Sequence, residues 1–226
     1  MGFEQDISQL GVFTEPQRRR VFERLQADGP CTVTALVDTL GVGRTLVAFH
    51  LGKLLESGFV EGIGPDATTG GPGRPAQRYR VSKQEVVASV PDRRYDLLAG
   101  VLLDSIADFR PDDTAHTSAL RAARRRGAEL GRQLASGRLP RTATARFARL
   151  ERLLSTLGYA PRRQGDELFV RNCPFDTFRA TNTEQVCSLN LSLSDGYLEG
   201  LGLDRDLQAD LRPDPDSCCV AFRQSG

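Results

Sequence analysis

Apolar residues recur at helical spacing through the first sixty positions. Residues 14 to 27 carry Val21, Phe22 and Leu25 on one stripe, with Pro16 in the first turn and Gly29-Pro30 at the end. Thr14 and Gln17 have the spacing of a capping box. A second short helix follows Thr32, turns Ala35, Leu36 and Leu40 inward and stops at Gly41. A third runs from about Arg44 to Ser57 and ends at Gly58. The period then changes. Phe59 to Ile63 and Gln77 to Val81 read as strands, the second alternating Tyr79 and Val81 against Arg78 and Arg80, around a Gly/Pro-rich stretch, 64 to 75, that has no buried pattern. Three short helices and a long-tipped hairpin predict a winged helix-turn-helix.

Farther along, Tyr95, Leu98, Leu102, Ile106 and Phe109 recur every three or four residues, and residues 92 to 158 read as helical. Beyond them, Glu167 to Arg171 and Cys219 to Phe222 look extended, while Thr183 to Leu201 looks helical through Val186, Leu189, Leu193 and Leu198. The expected fold is mostly α with small β elements. It divides into an N-terminal winged helix-turn-helix (1–90), a helical linker that either forms a dimerisation segment or packs on the last domain (91–158), and a small α+β domain (159–226).

Composition changes this picture little. With 39% hydrophobic and 26% charged residues the chain is ordinary globular protein. No apolar run approaches the roughly 18 residues of a membrane span, and the first ten residues lack a secretory pattern, so a cytoplasmic location and no membrane partner are expected. The net charge of +1 does not advertise nucleic acid, but its distribution is uneven: 26 basic against 20 acidic residues over 1–172, and 4 against 9 over 173–226. Such asymmetry fits either a nucleic-acid-facing part or plain drift in surface composition. With two histidines, and no nucleophile elbow, phosphate loop or HExxH, nothing asks for an enzyme.

Two groups of residues carry candidate chemistry. In the third helix Val47, Leu51, Leu54 and Leu55 share an inner face, leaving Arg44, Thr45, Ala48 and Phe49 on another. An Arg fork in the first turn suits a guanine edge or a phosphate, a threonine hydroxyl suits either, and Ala48 and Phe49 suit a thymine methyl. His50 and Lys53 complete the expected DNA-contacting set on this helix, His50 as a packing or phosphate-contact residue. In the wing, Arg74, Arg78 and Arg80 suit phosphates or a minor groove. The second group is thiol-bearing: of five cysteines, Cys173, Cys187, Cys218 and Cys219 fall in the last 54 residues. Thiolates are soft ligands for Zn²⁺, Cu(I) or iron–sulfur clusters, although no CxxC pair is present, and free cysteines also serve as buried small hydrophobes. Side chains of strand neighbours point to opposite faces, so one of Cys218 and Cys219 is expected to face a site while the other packs, unless a bulge turns both inward. Cys31 reads as core.

Gly43-Arg44-Thr45-Leu46-Val47-Ala48-Phe49-His50-Leu51, the Gly73-Arg74-Pro75-Ala76 to Tyr79-Arg80 wing, and Asn172-Cys173-Pro174-Phe175, Val186-Cys187 and Cys218-Cys219 together resemble the ArsR-like winged-helix regulators, in the group that includes the Suf-operon repressor (SufR) family. The likeness is strongest at 14–82 and 172–220. It implies an iron–sulfur cluster ([4Fe-4S] or [2Fe-2S]) on Cys173, Cys187 and Cys218 or Cys219, and the expected protein is a homodimeric transcriptional repressor or activator on a double-stranded DNA operator. Zinc is the alternative metal. The adjacent Cys218-Cys219 pair departs from the Suf-type ending. Two other readings stay open: a small-molecule-responsive regulator with buried structural cysteines, and a zinc-structured interaction protein whose winged helix contacts protein.

Overall fold

The computed structural model describes residues 3–65, 76–135, 137–212 and 218–225. They fall into two compact units, Met1–Ala88 and Ser89–Gly226. Both are mainly helical, and each carries one small antiparallel sheet.

The first unit opens with α1 (Phe3–Leu10) and a 3-10 turn (Gly11–Thr14), followed by α2 (Pro16–Asp28). The N-cap of α2 is Glu15, whose carboxylate accepts from the backbone N–H groups of Gln17 and Arg18 at 3.2 and 2.7 Å. The capping box expected of Thr14 and Gln17 does not form, because the Thr14 hydroxyl donates back to the Gly11 carbonyl. A short β1 (Cys31–Thr32) leads into α3 (Val33–Leu40), capped by the Thr32 hydroxyl and ended by left-handed Gly41 at φ 67°. A tight turn then delivers α4 (Arg44–Glu56). Leu36, Val47, Leu51 and Leu54 pack with Val21 and Leu25 of α2 in one core, closed by the edge-on rings of Phe13, Phe22 and Phe59. β2 (Val60–Pro65) and β3 (Gln77–Val81) form the wing hairpin, and β1 pairs on the other side of β3. The expected Arg74 lies outside the described residues.

In the second unit, α5 (Tyr95–Ala107), α6 (Ala115–Leu134) and α7 (Ala143–Thr156) precede β4 (Pro161–Gln164) and β5 (Glu167–Val170). A single turn, α8 (Asp176–Arg179), and α9 (Thr183–Leu201) precede β6 (Leu207–Leu211) and β7 (Val220–Gln224). The sheet order is β4-β5-β7-β6. One continuous core joins α5, α6 and α7 to α9 and the sheet, so residues 91–158 and 159–226 share their buried face.

The tightest contact in this unit is between α6 and α9. A Cβ placed on Gly127 would lie 2.2 Å from the Leu193 carbonyl oxygen, and one on Gly196 would lie 2.1 Å from that of Arg124. Gly131 and Gly200 meet the opposite backbone in the same way, at 2.8 and 2.2 Å. Two Gly-x-x-x-Gly stretches thus bring the helix backbones together, and any side chain there would have to push them apart.

Gly196→Ala should therefore destabilise the protein by about 2 kcal/mol or more, from overpacking against backbone. Gly52, in the middle of α4, has nothing within 4 Å of the added methyl, so Gly52→Ala should stabilise by about 0.5–1 kcal/mol through helix propensity. Urea unfolding followed by circular dichroism reads both. A neutral Gly196→Ala would show that the backbones do not meet.

Candidate functional site

The outer face of α4 is built by the same turn that buries its inner face. Arg44, Thr45, Ala48 and Phe49 stand exposed at helical spacing, and Lys53 follows one turn on, half-buried and 2.7 Å from Glu56. Phe49 is the unusual member. A benzyl ring 55% exposed at the centre of a helix face suits a surface that is covered in use. The Arg44 guanidinium donates to the Thr34 hydroxyl on α3 at 3.0 Å, which places it over the corner where the two helices meet. His50 does not share this face. It is buried, with Nδ1 3.3 Å from the Glu15 carboxylate and its ring edge-on to Phe49, so it ties α4 to the start of α2.

On the wing, Arg80 pairs across the hairpin with Glu61 at 2.7 Å, and Arg78 donates to the Pro30 carbonyl at 3.0 Å. Both cations belong to internal contacts that a phosphate would have to share. The first unit is also electrically balanced, with ten basic and ten acidic residues over 1–88. The basic surplus read from the sequence as nucleic-acid-facing lies in 89–172. A DNA-facing role for α4 rests on the shape and residue types of its outer face, not on the charge of the unit.

The four C-terminal cysteines come together. Cys173 lies in the loop after β5, Cys187 in the second turn of α9, and Cys218 and Cys219 just before β7; all are between 3% and 7% exposed. The thiols lie close enough to act on one another electrostatically: Cys218 on Cys173, Cys173 and Cys219 on Cys218, and Cys219 on Cys187. Cys218 and Cys219 precede β7 and both are buried, so burial does not separate a site-facing member from a packing one. Cys31 belongs to the first unit, half-buried in β1 against its core.

A polar frame holds the loops. Arg93 donates to the Asn172 side chain and to the Cys173 carbonyl, Asn172 donates to the Gly158 and Asp92 carbonyls, and the Cys218 N–H bonds the Val170 carbonyl at 3.1 Å. From the α9 side, fully buried Asn190 donates to the Cys218 sulfur at 3.1 Å and accepts from the Tyr159 hydroxyl. The Tyr197 hydroxyl next to that pair is buried without a well-formed partner of its own. Sequence reasoning missed Asn190, Tyr159 and Tyr197. The signal was there for one of them: Asn190 falls three residues after Cys187, on the buried face of α9.

This environment keeps thiols protonated. Hydrogen bonding to Cys218 and then burial push the Cys173 thiol far up. Cys218 is drawn down by Cys173, but its bond to Cys219 and its burial outweigh that and raise it to about 12. Burial raises Cys187 as well. Arg179 is the cation whose field reaches Cys173 and Cys187, and its Nε is bonded to Asp176 at 2.9 Å. Among the described residues no group of three or more His, Cys, Asp or Glu side chains is placed so that it could hold a metal ion. The donor type, four buried sulfurs from three chain segments, is that of a thiolate-bound centre; the arrangement described is not. Because Cys173, Cys187 and Cys218 are raised, metal binding there would have to expel protons.

Residues 13–63 match the protein-family model described as a helix-turn-helix domain. That match covers α2, α3, α4 and the start of the wing, and it agrees with the geometry. The first unit is a helix-turn-helix domain of the kind that binds DNA in transcription regulation. A comparison with curated proteins finds no match. Among the described residues no helix is long and apolar enough to cross a membrane.

The thiol chemistry sets a pH dependence. A thiol whose folded pKa exceeds its unfolded value of about 8.5 stabilises the fold fully below that value and loses the contribution as pH rises toward the folded pKa. The protein without metal should thus weaken above pH ~8.5, by roughly 2 kcal/mol per strongly raised thiol at pH 10. Urea midpoints at pH 7.5 and 10 test this, and Cys218→Ser should flatten the slope. A slope unchanged in Cys218→Ser would place the alkaline sensitivity elsewhere.

Proposed function

We propose that the protein is a sequence-specific DNA-binding repressor, acting as a homodimer on an inverted-repeat operator. Its affinity for DNA is set by an iron–sulfur centre held by Cys173, Cys187, Cys218 and Cys219. The observation that carries this reading is the burial of four free thiols, from two loops and a helix, within one unit. The likeness of Asn172-Cys173-Pro174-Phe175, Val186-Cys187 and Cys218-Cys219 to the SufR group supports the choice of iron and sulfide over zinc. When bound, such a centre supplies sensitivity to oxygen or redox state. The chain's own part is to hold the four sulfurs on separate segments, so that retention or loss of the centre changes how firmly the Cys173 loop and the segment before β7 are tied to α9. Arg44 and Thr45 are assigned to base edges, Ala48 and Phe49 to thymine methyls, and Lys53, Arg74, Arg78 and Arg80 to phosphates.

Anaerobic purification with iron, sulfide and zinc analysis tests the centre. Iron with sulfide is expected, reduced by serine at each of the four positions and unchanged in Cys31→Ser. Zinc without sulfide would replace the sensor by a structural site, and no metal alongside normal DNA binding would end the metal reading altogether. For DNA, Arg44→Ala should weaken operator binding by about 1–3 kcal/mol and relax sequence selectivity, read by titration against specific and scrambled duplexes. Unchanged affinity and selectivity would remove Arg44 from base reading.

A further inference from the structure

Helix α5 carries more apolar surface than its own unit covers. Leu97, Leu98, Val101 and Ser105 face the core and are buried. The adjoining face holds Tyr95, Leu102, Leu103 and Ile106, and Phe109 follows in the turn after the helix. Leu103 is 67% exposed, Ile106 73% and Phe109 53%. Asp96, Gly100 and Asp104 leave only a narrow polar strip, whereas a helix packed on one side has a polar outer half.

Beside the exposed ridge lies a groove. Tyr95, Leu98 and Leu102 form one wall, and Phe178, Val186 and Leu189 of α8 and α9 form the other, around about 380 Å³. Tyr95 and Phe178 meet edge-on at 5.2 Å across its end. Aromatic and branched side chains offer roughly 150–250 Å² each, so the half-exposed ridge and rim residues leave on the order of 600 Å² of apolar surface in water. That approaches the ~800 Å² each partner contributes to a standard interface.

We propose that α5 pairs with α5 of a second copy of this chain, antiparallel about a two-fold axis at Leu102. Ile106 and Phe109 of one protomer then fill the groove beside Leu98 and Tyr95 of its partner. The proposal rests on the dimeric reading above and adds the surface that makes the dimer. Ridge and groove are spaced for it: Leu98 and Ile106 lie four residues either side of Leu102, and Tyr95 and Phe109 lie seven either side, so a two-fold there sets each ridge residue opposite a groove residue. A small molecule in the groove would leave Leu103, Ile106 and Phe109 in water. A second α5 covers ridge and groove together.

The test uses the full chain. Light scattering at micromolar concentration should give twice the chain mass. Ile106→Asp, at a position too exposed to carry the fold, should weaken the dimer at least ~tenfold with unchanged circular dichroism. Independently, Leu102→Cys should cross-link to its own counterpart on mild oxidation. Ile106→Cys should not, because four residues either side of an antiparallel axis are too far apart for a disulfide. A dimer that Ile106→Asp leaves intact overturns this surface while the dimeric reading stands. Cross-linking of both cysteine variants overturns the antiparallel register. A wild-type monomer overturns the proposal and the dimeric reading together, and a monomer that retains a small molecule in native mass spectrometry gives the groove to that ligand instead.

Discussion

The contact on which the second unit depends is the meeting of two helix backbones. Gly127 and Gly131 of α6 lie against Gly196 and Gly200 of α9 so closely that no Cβ fits at any of the four. Helices that touch through glycine have little freedom to slide, since a shift along either axis drives a neighbouring side chain into the facing carbonyls. The orientation of α9 is thereby set, and with it the face that carries Cys187 and Asn190 toward the loops of Cys173 and Cys218.

That face is unusual for a buried helix surface. Asn190, Ser194 and Tyr197 are fully buried among leucines, and the first bonds a sulfur on one side and a tyrosine hydroxyl on the other. Burying such groups costs stability unless their hydrogen bonds are met. For Asn190 the partners, Tyr159 and Cys218, come from loops distant in sequence, while Ser194 bonds back to the Asn190 carbonyl, so the polar frame is centred on Asn190. The N-terminal end of the same helix, through Val186 and Leu189, also forms one wall of the apolar groove beside α5. A change in the thiols and a change in that groove therefore act on one element.

Much of this was legible from the chain alone. The period of apolar residues gave the limits of α9, Thr183–Leu201, and of β3, Gln77–Val81, because both are amphipathic and bounded by polar or glycine residues. The outer face of α4 followed from the same periodicity. What was not legible had a long-range cause. The choice for His50 between packing and phosphate contact is decided by its burial beside the Glu15 carboxylate of another element. The adjacency of Cys218 and Cys219 does not say which of them faces a site, since both are buried just before β7. The α6–α9 contact left a trace in the paired Gly-x-x-x-Gly spacing, but spacing alone does not say which two helices meet.

The central claim is that four cysteines form one thiol site whose integrity depends on how α9 is seated. Differential alkylation of the folded protein, read cysteine by cysteine in mass spectrometry after metal removal, tests it most directly. The account predicts one common slow rate for Cys173, Cys187, Cys218 and Cys219, with Cys31 reacting separately, and a common acceleration of the four when Gly196→Ala disturbs the seating of α9. Four unrelated rates, or a Gly196→Ala protein in which only one of the four responds, would contradict it.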